Sequence, residues 1–198
     1  MDYLLLPLPV GEGHEILPYL AARRGPEAAD RLYPEMVEEA FRRLDPLPVV
    51  KRVLFSPPEA QVEVPWGWEA EPQADGPWGH RFATAFHEAF LEGANRVVAL
   101  DPSSPWLDAH MVIQAMDALS GDLEMVVGPS GSGGIYLLGL RHEVPGLFEG
   151  LPEYGKDRIR SLVGRATELG IAPLILPRLP DAGSVPDRKP PRQRSARG

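Results

Sequence analysis

Cysteine is absent from the 198 residues. Its absence excludes disulfides, thiolate nucleophiles and every zinc or iron–sulfur site built on cysteine. Asparagine occurs once, at Asn95, and lysine three times against seventeen arginines. No stretch approaches the roughly 18–20 apolar residues that span a bilayer, so no membrane segment is expected. The start, Met1 to Pro7, has no basic residue and its apolar run breaks at Pro7. That reads against a signal peptide, and the composition fits a cytoplasmic protein. No Gly-x-Ser-x-Gly elbow is present, which leaves a hydrolase triad without support. The five histidines, at 14, 80, 87, 110 and 142, show no paired metal-binding spacing.

What is present is an acidic, proline-rich chain. It carries 23 prolines and a net charge of −8, and the charge is uneven. Residues 183–198 hold Arg188, Lys189, Arg192, Arg194 and Arg197 against Asp187, a net of +4 that leaves −12 on the first 182 residues. An acidic body argues against a nucleic-acid footprint. The expected organisation is one domain over residues 1–182, followed by a basic Pro/Arg-rich tail over 183–198. The tail has no apolar periodicity and reads as a mobile terminus or a docking segment.

Periodicity places strands at Tyr3–Val10, Val49–Phe55, Arg96–Leu100, Leu123–Val127, Ile135–Leu140 and Ala172–Leu176. Helices are expected over Glu12–Arg23, from Pro26 to about Leu44, and over Gly79–Ala94. Two more run from Pro105 to Leu119 and over about Lys156–Leu169. Residues 56–79 read as turns. Strands alternating with helices imply an α/β domain with a largely parallel sheet.

Three features carry possible chemistry. Asp101 ends a strand, where ligands of open α/β sheets sit, and Pro102-Ser103-Ser104-Pro105 follows it. Its carboxylate suits a metal or a ribose hydroxyl, or a turn closed by an Asp–Ser hydrogen bond; Ser103 and Ser104 suit a helix cap. The loop Gly128-Pro129-Ser130-Gly131-Ser132-Gly133-Gly134 offers amides to an anion, or simply glycines at positive φ. Trp66, Trp68 and Trp78 offer rings for stacking, or bulk for the core.

Several segments together resemble a known family. They are Ala85-Phe86…Ala89-Phe90, Gly93-Ala94-Asn95-Arg96-Val97-Val98, Ser103-Ser104-Pro105, Val127-Gly128-Pro129 and Gly133-Gly134-Ile135-Tyr136-Leu137-Leu138-Gly139-Leu140. Phe148-Glu149-Gly150 and Ala166-Thr167-Glu168-Leu169-Gly170 continue the order. Over about residues 3–187 the chain resembles the small bacterial GT-A-type transferases called radical-SAM/selenodomain-associated transferase 1, relatives of the nucleotide-diphospho-sugar transferases.

The resemblance implies a three-layer, Rossmann-like GT-A fold binding a nucleotide-sugar, with Mg²⁺ or Mn²⁺ bridging the phosphates. It also implies glycosyl or nucleotidyl transfer. This chain departs from the family pattern at four motifs. The basic Lys-Thr-Arg-Leu signature becomes His14-Glu15-Ile16-Leu17, and Ser-Asp-Cys-Pro becomes Pro102-Ser103-Ser104-Pro105. Glu-Asp-Gly-Gly becomes Gly131-Ser132-Gly133-Gly134, and Asp-Val-Asp becomes Asp181-Ala182-Gly183.

Hard cations bind through carboxylates, which neutral serine hydroxyls do not replace. Asp101 and Asp181 remain as metal or catalytic candidates, and Asp75 is a further polar survivor. Arg81, Ser103, Ser132 and Arg158 are the nucleotide and phosphate candidates. Arg81 and Arg158 would serve a metal-independent site, with Asp101 accepting a ribose hydroxyl. A non-catalytic scaffold that binds a partner or a small ligand is the alternative.

Overall fold

The computed structural model describes residues 1–131, 133–153, 157–180 and 182. Ser132, Asp181 and the 183–198 tail lie outside the described residues. In chain order the elements are β1 (Asp2–Pro9), α1 (Gly13–Ile16), α2 (Pro18–Arg24), α3 (Pro26–Leu44), β2 (Val50–Ser56), β3 (Trp68–Pro72) and α4 (Trp78–Leu91). There follow β4 (Arg96–Leu100), α5 (Ala109–Ala118), β5 (Met125–Pro129), β6 (Ile135–Leu140), α6 (Arg158–Glu168) and β7 (Leu174–Ile175).

Among the described residues, seven strands form one sheet in the order β3-β2-β1-β4-β6-β5-β7. Strands β3, β2, β1 and β4 are mutually parallel, β7 runs parallel to β5, and β6 alone is antiparallel to both of its neighbours. β1 is apolar at almost every position because both of its faces are covered. Leu4, Leu6 and Leu8 pack with Tyr33, Ala40 and Leu44 of α3 and Val112, Ala115 and Met116 of α5. Tyr3 and Leu5 face Ala85, Phe86 and Ala89 of α4 and Leu162 and Ala166 of α6. Helices on both faces of a mostly parallel sheet make the three-layer α/β fold.

Three local readings change. The stretch Glu12–Arg23 is two helices, broken at Leu17-Pro18 because Pro18 disfavours a helical residue before it. The helix expected from Pro105 starts at Ala109, where the Asp108 side chain caps it by accepting from Met111 N at 2.9 Å. The supposed turn region contains edge strand β3. Trp68 is buried there against Phe41, edge to face at 4.9 Å, and its Nε1 donates to Asp45 at 3.1 Å.

Trp78 is buried as well, whereas Trp66 is 99% exposed. The glycine loop is the connection of the β5–β6 hairpin. Ser130 N donates to Gly134 O at 2.9 Å, and Gly133 adopts φ +88°, a region that favours glycine.

A buried arginine closes one end of the sheet. Arg52 on β2 is 5% exposed and donates to Glu69 and Glu92, while Tyr3 also donates to Glu92 at 3.1 Å. Its hydrogen bonds to two carboxylates meet the requirement for burying a charge, and its role is structural.

Candidate functional site

The parallel strands deliver their carboxyl ends to one cleft of about 470 Å³. Pro7 and Pro9 of β1, Ser56 ending β2, Gln73 just past β3 and Asp101 just past β4 line its floor. The first turns of α4 supply Trp78, Arg81 and Phe82, while Glu153 precedes α6 and Arg158 is its first residue. Glu15, Ile16 and Tyr33 close the opposite side. Four of the residues singled out from the sequence, Arg81, Asp101, Ser103 and Arg158, therefore share one cavity. Asp75 is exposed and lies outside that lining.

Asp101 Oδ1 accepts from Ser103 N at 2.9 Å and from Ser103 Oγ at 2.7 Å. This is the Asp–Ser turn, and with the helix beginning at Ala109 neither Ser103 nor Ser104 caps it. The Tyr33 hydroxyl donates to Pro9 O at 2.6 Å. Burial, reinforced by the charge of Asp101, pushes the Tyr33 phenol well up, so it stays protonated and remains a donor.

Arg81 donates from Nη2 to Glu153 Oε1 at 2.9 Å, and the other oxygen of Glu153 accepts from Trp78 N, the first residue of α4. Arg81 Nε is the one buried side-chain polar atom without a hydrogen-bond partner among the described residues. Such a donor costs about 1–3 kcal/mol unless an acceptor arrives. The Arg158 guanidinium lies over the Trp78 ring, 4.6 Å from its centroid, with Nε donating to Pro152 O at 3.3 Å. Gly79 lets α4 approach the 147–150 turn, because a Cβ there would collide with the Phe148 carbonyl.

The resemblance implies a divalent metal at Asp101 and Asp181, of which Asp181 lies outside the described residues. Asp101 Oδ1 is turned to Ser103 and Glu153 to Arg81. Among the described residues, the trio of metal-type ligands that converges within 4.8 Å is Glu12, His14 and Asp30 instead.

Asp30 already serves the fold. Its Oδ1 accepts from His14 N and lies 2.8 Å from His14 Nδ1, tying α1 to α3. The hydrogen bond to Asp30 holds the His14 imidazole above its ordinary pKa. Hydrogen bonds from His14, its backbone N–H first, hold Asp30 below the usual carboxylate range. The His14 contribution is therefore complete below its unfolded pKa of about 6.5. It is lost as pH rises through the raised folded value. Asp30 contributes above its unfolded pKa of about 3.9, and that contribution is lost as pH falls through the lowered folded value. As pH rises above about 6.5, the melting temperature should fall more steeply in the wild type than in His14→Gln. Parallel curves in a pH series of thermal melts would refute the assignment.

Sequence reasoning missed Gln73, Glu153 and Tyr33. Gln73 is 8% exposed, and its N–H extends the β2–β3 ladder to Phe55 O at 2.8 Å. Recognising β3 as a strand would have placed Gln73 at a strand end. Glu153 meets Arg81 across 72 residues, and no local pattern announces that pair.

With the geometry in place, comparison with known proteins adds descent. Residues 48–153, more than half of the chain, match the model of a family described as "Uncharacterized protein conserved in bacteria (DUF2064)". The chain belongs to the DUF2064 family. This DUF2064 chain shares its fold with a "putative nucleotide-diphospho-sugar transferase" from Desulfovibrio desulfuricans G20. The TM-score is 0.82 at 23% identity, covering 92% of this chain and 83% of that one. A CMP:2-keto-3-deoxy-manno-octonic acid synthetase solved with CTP aligns at TM-score 0.56 and 15% identity, covering 91% and 90%. Rv0371c from Mycobacterium tuberculosis H37Rv, solved with manganese, aligns at 0.53 and 14%, covering 91% and 89%. At these identities the likeness is one of fold. No curated protein sequence matches the DUF2064 chain. No helix among the described residues is long and apolar enough to cross a membrane.

Proposed function

We propose that the cleft binds the phosphates of a nucleotide or nucleotide-sugar through Arg81 and Arg158, without needing a divalent metal. One observation carries this reading: both arginines and Asp101 line one cavity beyond the carboxyl ends of parallel strands. That is where open α/β sheets bind ligands. Guanidinium groups match phosphate oxygens with paired, charge-assisted hydrogen bonds. Asp101 accepts a hydrogen bond from a ribose hydroxyl, and Gln73 offers both a donor and acceptors to a base or sugar. Ser103, next to Asp101, is within the same wall. The fold shared with a nucleotide-diphospho-sugar transferase and with a CTP-bound synthetase supports the ligand class.

Transfer of the glycosyl or nucleotidyl group is the activity this ancestry favours. Binding without transfer is the second reading. The observation behind it is Asp101 Oδ1, which accepts two hydrogen bonds from its own turn rather than facing a metal.

Thermal unfolding of the full chain with nucleoside diphosphates, triphosphates and nucleotide-sugars, in EDTA and in Mn²⁺, tests the proposal. A nucleotide at 100 times its dissociation constant adds about 2.7 kcal/mol, a shift of several degrees. The expected result is a shift with at least one nucleotide that persists in EDTA. A shift confined to Mn²⁺ would reinstate a metal. A flat panel on cooperatively unfolding protein would end the nucleotide reading.

A further inference from the structure

Glu153 does not act on the cleft from outside. Its carboxylate sits on the cleft wall with both oxygens engaged, one on Arg81 Nη2 at 2.9 Å and the other on the Trp78 backbone N–H. Two oxygens on one central atom, held by a guanidinium and a backbone amide, form the same pattern of contacts that a phosphoryl group would make. Arg158 stands beside it over the Trp78 ring at 4.6 Å, a second cation in the same corner. The buried Nε of Arg81 has no acceptor among the described residues. A phosphoryl group offers one more oxygen to this corner than the carboxylate does. Glu153 is about one-third exposed, so its release into water carries little of the penalty of a buried ion pair.

We propose that Glu153 is an internal plug on an oxyanion site made by Arg81, the Trp78 N–H and Arg158, and that a phosphoryl group binds there by displacing it. The proposal rests on the nucleotide reading above and adds a regulatory element to it. A ligand competing with an attached carboxylate has its apparent affinity reduced by the fraction of molecules in which the site is open. With the plug closed in nine of ten molecules, the reduction is about tenfold. A carboxylate-to-amide change removes the negative charge and leaves the size almost unchanged.

The probe is inorganic pyrophosphate, titrated calorimetrically into the full chain as wild type, Glu153→Gln, Glu153→Asp and Glu153→Gln/Arg81→Gln. Each protein is first checked for cooperative unfolding. Glu153→Gln should bind pyrophosphate about tenfold more tightly than wild type, and the double variant should lose that gain. Glu153→Asp keeps the charge but shortens the arm by one methylene. It should fall between wild type and Glu153→Gln, which preserves the test if the amide variant folds poorly.

Unchanged or weaker pyrophosphate binding by folded Glu153→Gln would overturn the plug and make Glu153 a brace between α4 and the segment before α6. Two combinations separate this inference from its parent. Nucleotide binding by wild type with no gain in Glu153→Gln ends the plug alone. A pyrophosphate gain with no nucleotide bound by any variant supports the plug and ends the nucleotide reading.

Discussion

Arg81→Gln is expected to bind the nucleotide identified by thermal shift roughly 10- to 100-fold more weakly than wild type. The range follows from one charge-assisted hydrogen bond, worth about 1.5–3 kcal/mol, at about 1.4 kcal/mol per tenfold. Arg81 is set into the cleft wall: its side chain is one-quarter exposed, and one of its nitrogens is buried without a partner. Glutamine retains hydrogen-bonding capacity but no charge, so the loss reports the guanidinium. Arg165→Gln is the control. Arg165 lies on α6, pairs with Glu149 and Glu168, and is not part of the cleft lining. Equal affinities in wild type, Arg81→Gln and Arg165→Gln would remove Arg81 from the site.

The largest effect on stability is expected at Phe86. It is 1% exposed, the bulkiest of the fully buried side chains, and centred between Phe82 at 6.5 Å and Phe148 at 5.6 Å. Phe86→Ala should cost about 3–5 kcal/mol, a large part of the roughly 5–15 kcal/mol that holds a domain together. Urea unfolding followed by tryptophan fluorescence reads this as a lower midpoint at an unchanged slope. A loss below about 1 kcal/mol would mean that the pocket collapses without penalty. The cost also has a functional side, because Phe82 and Arg81 stand about one turn earlier on the same helix and line the cleft. A weakened α4 should loosen ligand binding in step with stability, whereas Arg81→Gln should weaken binding without a matching loss of stability.

Long elements with one dominant period are readable from residue order. Arg96–Leu100 and Ile135–Leu140 have the bounds their apolar runs suggest. The helix from Pro26 carries Ala29, Tyr33, Ala40 and Leu44 on its buried side. Edge strand β3 is not readable in that way. Its two glutamates, its terminal proline and the flanking Pro65 and Gly67 look like a turn, and the strand exists because Trp68 has Phe41 to pack against. A tertiary contact overrides the local preference there. The start of α5 is misplaced for a related reason: Pro105 is an acceptable first helical residue, but Asp108 offers the side-chain cap.

The site divides along the same line. Residue types and order were sufficient to exclude cysteine chemistry, to indicate an α/β sheet and to point to a resemblance to small GT-A-type transferases. They also singled out Arg81, Asp101, Ser103 and Arg158 one by one. Only the folded chain decided that these four line a common cavity, that Asp101 turns back on Ser103, and that Glu153 occupies Arg81. The reason is one of range. Burial periodicity and turn chemistry act over a few residues and leave a local trace in the sequence. A guanidinium and a carboxylate 72 residues apart are joined by the crossing of strands and helices, and that joining leaves no local trace.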